Sequence, residues 1–99
     1  MPFQVIYTGR AKKDLDELKG DGGKKGVLRA VCKAIKFLAQ NPRHPSLKTH
    51  QYHSIPEIYS GKKVWEAYAQ DKVPAAYRVF WSYGPSKDQI TIIAITPHP

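Results

Sequence analysis

The spacing of apolar residues along the chain changes period as it proceeds. Phe3 to Thr8 is a short, apolar, β-prone run and predicts a first strand. Ala11, Leu15 and Leu18 then recur at helical spacing, and Thr8 stands where its side chain can cap a helix beginning near Arg10. Gly20 is placed to end that helix by accepting a left-handed backbone angle. From Lys24 to Gln40 the helical period returns. Val27, Leu28, Val31, Ile35 and Leu38 form one stripe, Ala30, Ala34 and Phe37 fill beside it, and Arg29, Lys33 and Lys36 take much of the remainder. Asn41-Pro42 closes this helix, because the residue before a proline resists helical angles.

After Gly61 the period becomes two. KKVWEAYAQ, AAYRVFWSYG and DQITIIAITPHP are rich in aromatic and β-branched residues and predict three consecutive strands. Turn chemistry separates them, first Asp71-Lys72-Val73-Pro74 and then Gly84-Pro85-Ser86-Lys87. Such a meander is too apolar to stand bare, so at least one of its faces must be covered. The segment 41–61 contains Pro42, Pro45 and Pro56 with His44, His50 and His53. It predicts an irregular connection with a short strand near Lys48–Tyr52, and a loop of this length in a compact chain is often functional.

These elements predict an α+β fold: a small, mainly antiparallel β-sheet with two N-terminal helices packed on one face, in the order β-α-α-β-β-β. The opposite face is expected to be open and lined by alternate strand residues. Period two places Glu66 and Tyr68 on one face, opposite Trp65 and Ala67. Likewise Arg78, Phe80 and Ser82 share a face, opposite Tyr77, Val79 and Trp81, and both tryptophans are expected in the core. With 99 residues there is room for one domain and one modest core.

Composition adds a bias toward anionic partners. The net charge is +8, carried along the helices and at Arg43, Lys48, Lys62, Lys63 and Arg78 rather than in a tail. The glycine-rich GDGGKKG beside lysines invites a phosphate-loop reading, but Lys25 stands where either nucleotide-binding pattern needs glycine, so a turn between helices is the expectation. No apolar run approaches the ~18–20 residues that span a bilayer, and the N-terminal residues lack the pattern of a signal peptide. The single cysteine, Cys32, forms no internal disulfide, so a reduced, cytoplasmic setting is expected. Three histidines between 44 and 53, without cysteine or carboxylate at matching spacing, do not make a metal site, and no cofactor is called for.

The layout, together with NPRHPSLKTH, AYRVFW and the terminal IAITPHP, resembles the RelE/ParE superfamily of bacterial type II toxins across nearly the whole chain. The most specific part is the Tyr-Arg-Val-plus-aromatic strand followed by a hairpin and a last strand ending in a basic residue. The resemblance to the RelE-like branch implies metal-free cleavage of mRNA on the ribosome, and a cognate antitoxin protein as partner. It implies that Arg78 is the active-site arginine and that His98 stands at the basic position after the last strand. Glu66 and Tyr68 fall where some members carry catalytic lysines, so the acid–base set differs from the lysine-rich type. The C-terminal extension common in the family does not follow Pro99 in this sequence. The ParE-like branch, which inhibits gyrase without nuclease chemistry, and a non-catalytic RNA- or ribosome-binding module are the alternatives.

The residue types suit the implied chemistry. Metal-free RNA cleavage needs a base for the 2′-OH proton, an acid for the departing 5′-oxygen, and a cation facing the phosphorane. Arginine suits the third role, histidine with its unperturbed pKa near ~6.5 suits the first two, and a glutamate serves if its surroundings favour the protonated form. Arg78, His98 and Glu66 are therefore the candidate catalytic set. Lys48 and His50 are candidate substrate contacts, and Tyr68 and Phe80 candidate stacking partners for a splayed base. Equally simple readings are that Arg78 only pairs with Glu66 across the sheet and that a terminal histidine is idle.

Overall fold

Thr8 marks the first change of period. In the computed structural model, which describes residues 2–53 and 63–98, its backbone is extended and its Oγ1 accepts from the Ala11 amide. It thereby caps α1 (Gly9–Gly20). A 3₁₀ turn, Gly22–Lys24, leads into α2 (Lys25–Gln40). A second 3₁₀ turn, Pro45–Leu47, precedes the strand pairing of the C-terminal half. The sheet has five strands: β1 (Gln4–Tyr7), β2 (His50–Tyr52), β3 (Val64–Tyr68), β4 (Tyr77–Tyr83) and β5 (Gln89–Pro97). Their spatial order is β1-β5-β4-β3-β2, with β1 parallel to β5 and every other pair antiparallel. The expected α+β architecture and element order hold, and the short strand expected near Lys48–Tyr52 is β2.

β1 is shorter than β5, so part of the β5 edge lacks a strand partner. Helix α1 supplies it. The Thr8 hydroxyl donates to the Ile93 carbonyl at 2.8 Å, and the Ile95 amide donates to Asp14 Oδ2 at 2.9 Å. The same contacts fix α1 over one face of the sheet. There Ala11 and Leu18 of α1 and Val31, Ala34, Ile35 and Leu38 of α2 bury against Val79, Trp81, Ile90, Ile92 and Ile95. This is the stripe that the helical period outlined, and Val27, Leu28 and Phe37 lie half-buried at its margins.

Two expectations need correction. Gly20 does not take a left-handed angle. It is the last residue of α1, Asp21 follows at φ −104°, and the Asp21 side chain accepts from the Gly23 amide to start the next turn. The chain runs straight into that turn, so no reversal is required of the glycine. Positive φ falls instead on Lys48, at 47°, where the chain leaves the Pro45–Leu47 turn to enter β2, on Lys72 and Ala75 between β3 and β4, and on Gly84.

The second correction concerns the face away from the helices, which is not open. Val64, Phe80, Ile93 and Ala94 are buried there as a separate apolar cluster, with Tyr52 packed against it. A β-bulge enlarges this cluster. Phe80 pairs with Ala94 but Trp81 pairs with Ile92, so Ile93 is the extra residue and both Ile93 and Ala94 join the same side.

Candidate active site

On this second face, beyond the apolar cluster, sits a group of charged residues. β2 pairs with β3 so that His50 lies opposite Glu66, and β3 pairs with β4 so that Tyr68 lies opposite Arg78. Alternation therefore projects Glu66, Tyr68 and Arg78 to one side, as period two predicts. His98 is brought in from the end of β5, where its backbone amide donates to the Ala76 carbonyl at 2.7 Å.

Glu66 is the centre of the group. Its side chain is only 2% exposed, and each oxygen has cationic or titratable partners. Oε1 is 2.7 Å from His50 Nε2, and Oε2 is 3.3 Å from His98 Nδ1 and 3.6 Å from Arg78 Nε. The last distance is a Coulombic contact rather than a hydrogen bond, which leaves Arg78 Nε buried without a hydrogen-bond acceptor among the described residues. The guanidinium is held in other ways. Nη1 donates to the Gln70 carbonyl at 2.7 Å and to the Tyr77 carbonyl at 3.4 Å. The guanidinium carbon lies 3.7 Å from the centre of the Tyr68 ring, a cation–π contact. A carboxylate this deeply buried is tolerable only with such partners around it.

The histidines are unlike the residues they flank. His50 and His98 side chains are 49% and 51% exposed, so each has one edge on buried Glu66 and the rest in solvent. The other nitrogen of His50, Nδ1, lies 3.2 Å from the Lys48 carbonyl. Both His50 nitrogens thus face acceptors, and only the imidazolium can donate to both. His98 contacts Glu66 through Nδ1 alone. Lys48 lies at the margin, with Nζ donating to Asp71 Oδ2 and standing 5.8 Å from the Tyr68 ring centre. That ammonium holds the Asp71 carboxyl below its usual range, chiefly through the hydrogen bond, although Asp71 is exposed.

Glu66, Arg78 and His98 therefore converge, and His50 joins them more intimately than as a rim contact. A sequence signal existed for this: the short strand at residues 50–52 needed only to be paired with β3 in the register that sets His50 beside Glu66. Gln70, whose carbonyl anchors Arg78, had no such signal. Tyr68 is at the site, but one of its faces is already occupied by the guanidinium. Phe80 is not presented to a ligand. It is buried in the apolar cluster, its ring centre 4.8 Å from that of Tyr52, because the bulge and Tyr52 close over it. The other histidines do not assemble: His44 stacks on Phe37, and His53 is exposed just after β2. Among the described residues no group of three or more His, Cys, Asp or Glu side chains is arranged to hold a metal ion.

No family model and no curated protein matches the chain. Solved structures do. A YoeB/ParE toxin from Agrobacterium tumefaciens superposes with a TM-score of 0.71 at 11% identity, covering 98% of this chain and 100% of its own. A chain of the archaeal RelE–RelB complex from Pyrococcus horikoshii OT3 gives 0.65 at 18% identity, covering 98% and 96%. A chain of the E. coli DinJ–YafQ toxin–antitoxin complex gives 0.67 at 12% identity, covering 99% and 94%. The fold is that of the RelE/ParE-like toxins.

Proposed function

We propose that this protein is the toxin of a type II toxin–antitoxin pair, acting as a metal-independent, ribosome-associated endoribonuclease that cleaves mRNA and so inhibits translation. One observation carries the reading: a buried carboxylate, with an arginine in Coulombic contact, has a half-exposed histidine on each of its oxygens. With Nδ1–H donating to Glu66, His98 keeps the Nε2 lone pair and takes the proton of the 2′-OH. The 2′-oxygen attacks phosphorus, and the 5′-oxygen departs with a proton from the His50 imidazolium. Loss from Nδ1 of His50 gives up only its 3.2 Å contact to the Lys48 carbonyl. The products are a 2′,3′-cyclic phosphate and a 5′-hydroxyl. Glu66 is too buried to meet substrate and acts by orienting both histidines. Arg78 supplies the positive field, with Nη2 the donor remaining for a phosphate oxygen.

The same comparisons support an antitoxin as partner. Two of the similar structures are complexes of a toxin with its antitoxin, and an acidic or groove-filling segment laid over this basic chain would block the cluster. The test is cleavage of a defined mRNA in a cell-free translation reaction, with and without EDTA. His98→Gln is the more informative variant because the His98 side chain is half exposed, so the substitution is expected to leave the fold intact. Removing a general base costs roughly 10²–10⁴-fold in rate, so cleavage by the parent should resist EDTA and fall by that order in His98→Gln. Intact mRNA from folded, antitoxin-free protein would overturn the nuclease reading, and inhibition of gyrase supercoiling by the same preparation would replace it.

A further inference from the structure

The chain between β3 and β4 is closed next to Arg78 by a single residue. Beyond the Tyr68–Arg78 pair the ladder does not continue one to one. The amides of Ala69 and Gln70 both donate to the Tyr77 carbonyl, each at 3.2 Å, so two residues of the outgoing chain stand against one of the returning chain. That is the hydrogen-bond pattern of a β-bulge, which re-aims the groups of the extra residue. The Tyr77 amide donates to the Gln70 side chain, with Oε1 accepting at 3.1 Å. Gln70 is thus fastened to Tyr77 twice, by its amide and by its side chain. Its own carbonyl is turned out of the ladder onto Arg78 Nη1, at 2.7 Å.

This clasp has something to hold. Between Gln70 and Tyr77, both Lys72 and Ala75 take positive φ, at 59° and 51°, a conformation that disfavours any residue other than glycine. The Lys48–Asp71 pair at the same turn is exposed and holds it weakly, whereas Gln70 is half-buried. The consequence falls on the guanidinium. Nη1 carries two protons, and they face the Gln70 and Tyr77 carbonyls, so the group cannot rotate without giving those contacts up. Nε stays toward Glu66. We propose that Gln70 is a positioning residue for Arg78. Its side-chain oxygen takes the place of a backbone acceptor and fixes the bulge, and its carbonyl then sets the orientation in which the guanidinium meets a phosphate. The use of that orientation rests on the endoribonuclease reading above, whereas the positioning itself does not require cleavage.

Three variants separate the acceptor from the rest of the side chain. Gln70→Met keeps the length and loses the acceptor, Gln70→Ala loses both, and Gln70→Glu keeps an oxygen at the same reach. Arginine side-chain NMR on the full-length protein follows solvent exchange of the Arg78 Nη1 protons. Arg78 is buried while Arg10, Arg29 and Arg43 are exposed, so its signals are the ones expected to be protected. Protection should fall by about tenfold or more in Gln70→Met and Gln70→Ala, the scale of one lost hydrogen bond to a charged group, and should persist in Gln70→Glu. In the translation reaction the maximal cleavage rate should fall by roughly 10–10²-fold in the first two, at unchanged half-saturating mRNA, with Gln70→Glu close to the parent. Protection unchanged in Gln70→Met and Gln70→Ala, or lost equally in Gln70→Glu, overturns the inference. So does a large fall in the urea midpoint of the first two variants, which would make the clasp an element of stability alone. A parent that cleaves nothing defeats the nuclease reading only, because proton exchange still scores Gln70. Cleavage by the parent with exchange insensitive to Gln70 defeats only the positioning role.

Discussion

On the helix-covered side of the sheet, burial is aliphatic and aromatic: Val79, Ile90, Ile92 and Ile95 meet the stripe of α2 with no charged group among them. On the other side the sheet buries Val64, Phe80 and Ile93 but also Glu66 and Arg78, a carboxylate and a guanidinium within the same plane of strand residues. The first face is the ordinary solution for an amphipathic layer. The second accepts the desolvation of two charges, and a buried ion pair seldom repays that in stability. The difference between the faces therefore separates the burial that folds the chain from the charged cluster that makes the candidate site.

The largest effect should come from breaking the charged pair on one side only. Arg78→Met leaves Glu66 buried with only two half-exposed histidines as partners, and removing one member of a buried pair costs about 3–5 kcal/mol. Urea unfolding of the single variant should show that loss. The double variant Arg78→Met, Glu66→Leu should recover most of it, since apolar replacement of both partners is often close to neutral. A double variant as unstable as the single one would mean that the pair is structural and that the contrast between the faces is wrong. On the helix side, by comparison, loss should follow volume. Ile92→Val removes one methylene from a fully buried position and should cost about 1 kcal/mol, read as a modest fall in the urea midpoint at unchanged slope.

The same contrast governs how much could be seen beforehand. The helix face was legible because its signal is periodic. Val31, Ile35 and Leu38 announce a stripe, and period two sorts Val79 and Trp81 from Arg78 and Phe80 without knowledge of the partners. The second face depends on register and on irregularities that periodicity does not encode. The bulge at Ile93 puts two consecutive residues of β5 on one side, and that closes over Phe80, the ring expected to stack a base. Arg78 and Glu66 were identifiable as a pair by alternation, whereas the place of His50 beside Glu66 required the three-residue strand β2 to be set in register against β3. Likewise the stop after α1 looked like a left-handed glycine because Gly20 sits where one usually does. Positive φ was instead needed at Lys48, Lys72 and Ala75, whose side-chain types give no hint of it, and at Gly84.

The smallest effect is expected at the edge of the second face, where charge is exposed rather than buried. Asp71 accepts from Lys48, and this holds its carboxyl below the usual value of 3.8. A carboxyl lowered on folding contributes stability that is present above its unfolded value and is lost as pH falls through its folded one. Both partners are solvated, so the contribution is small and is screened by salt. Thermal melting of Asp71→Asn against the parent should therefore give nearly superimposable curves at pH 7. The residual difference should vanish both on acidification through the lowered carboxyl range and at molar salt. A difference that survived acid and salt would mean that Asp71 shapes the β3–β4 turn through something other than its charge. Its disappearance would place the pair at the opposite extreme from Glu66 and Arg78, in which the same two kinds of charge meet but burial makes the loss of one costly.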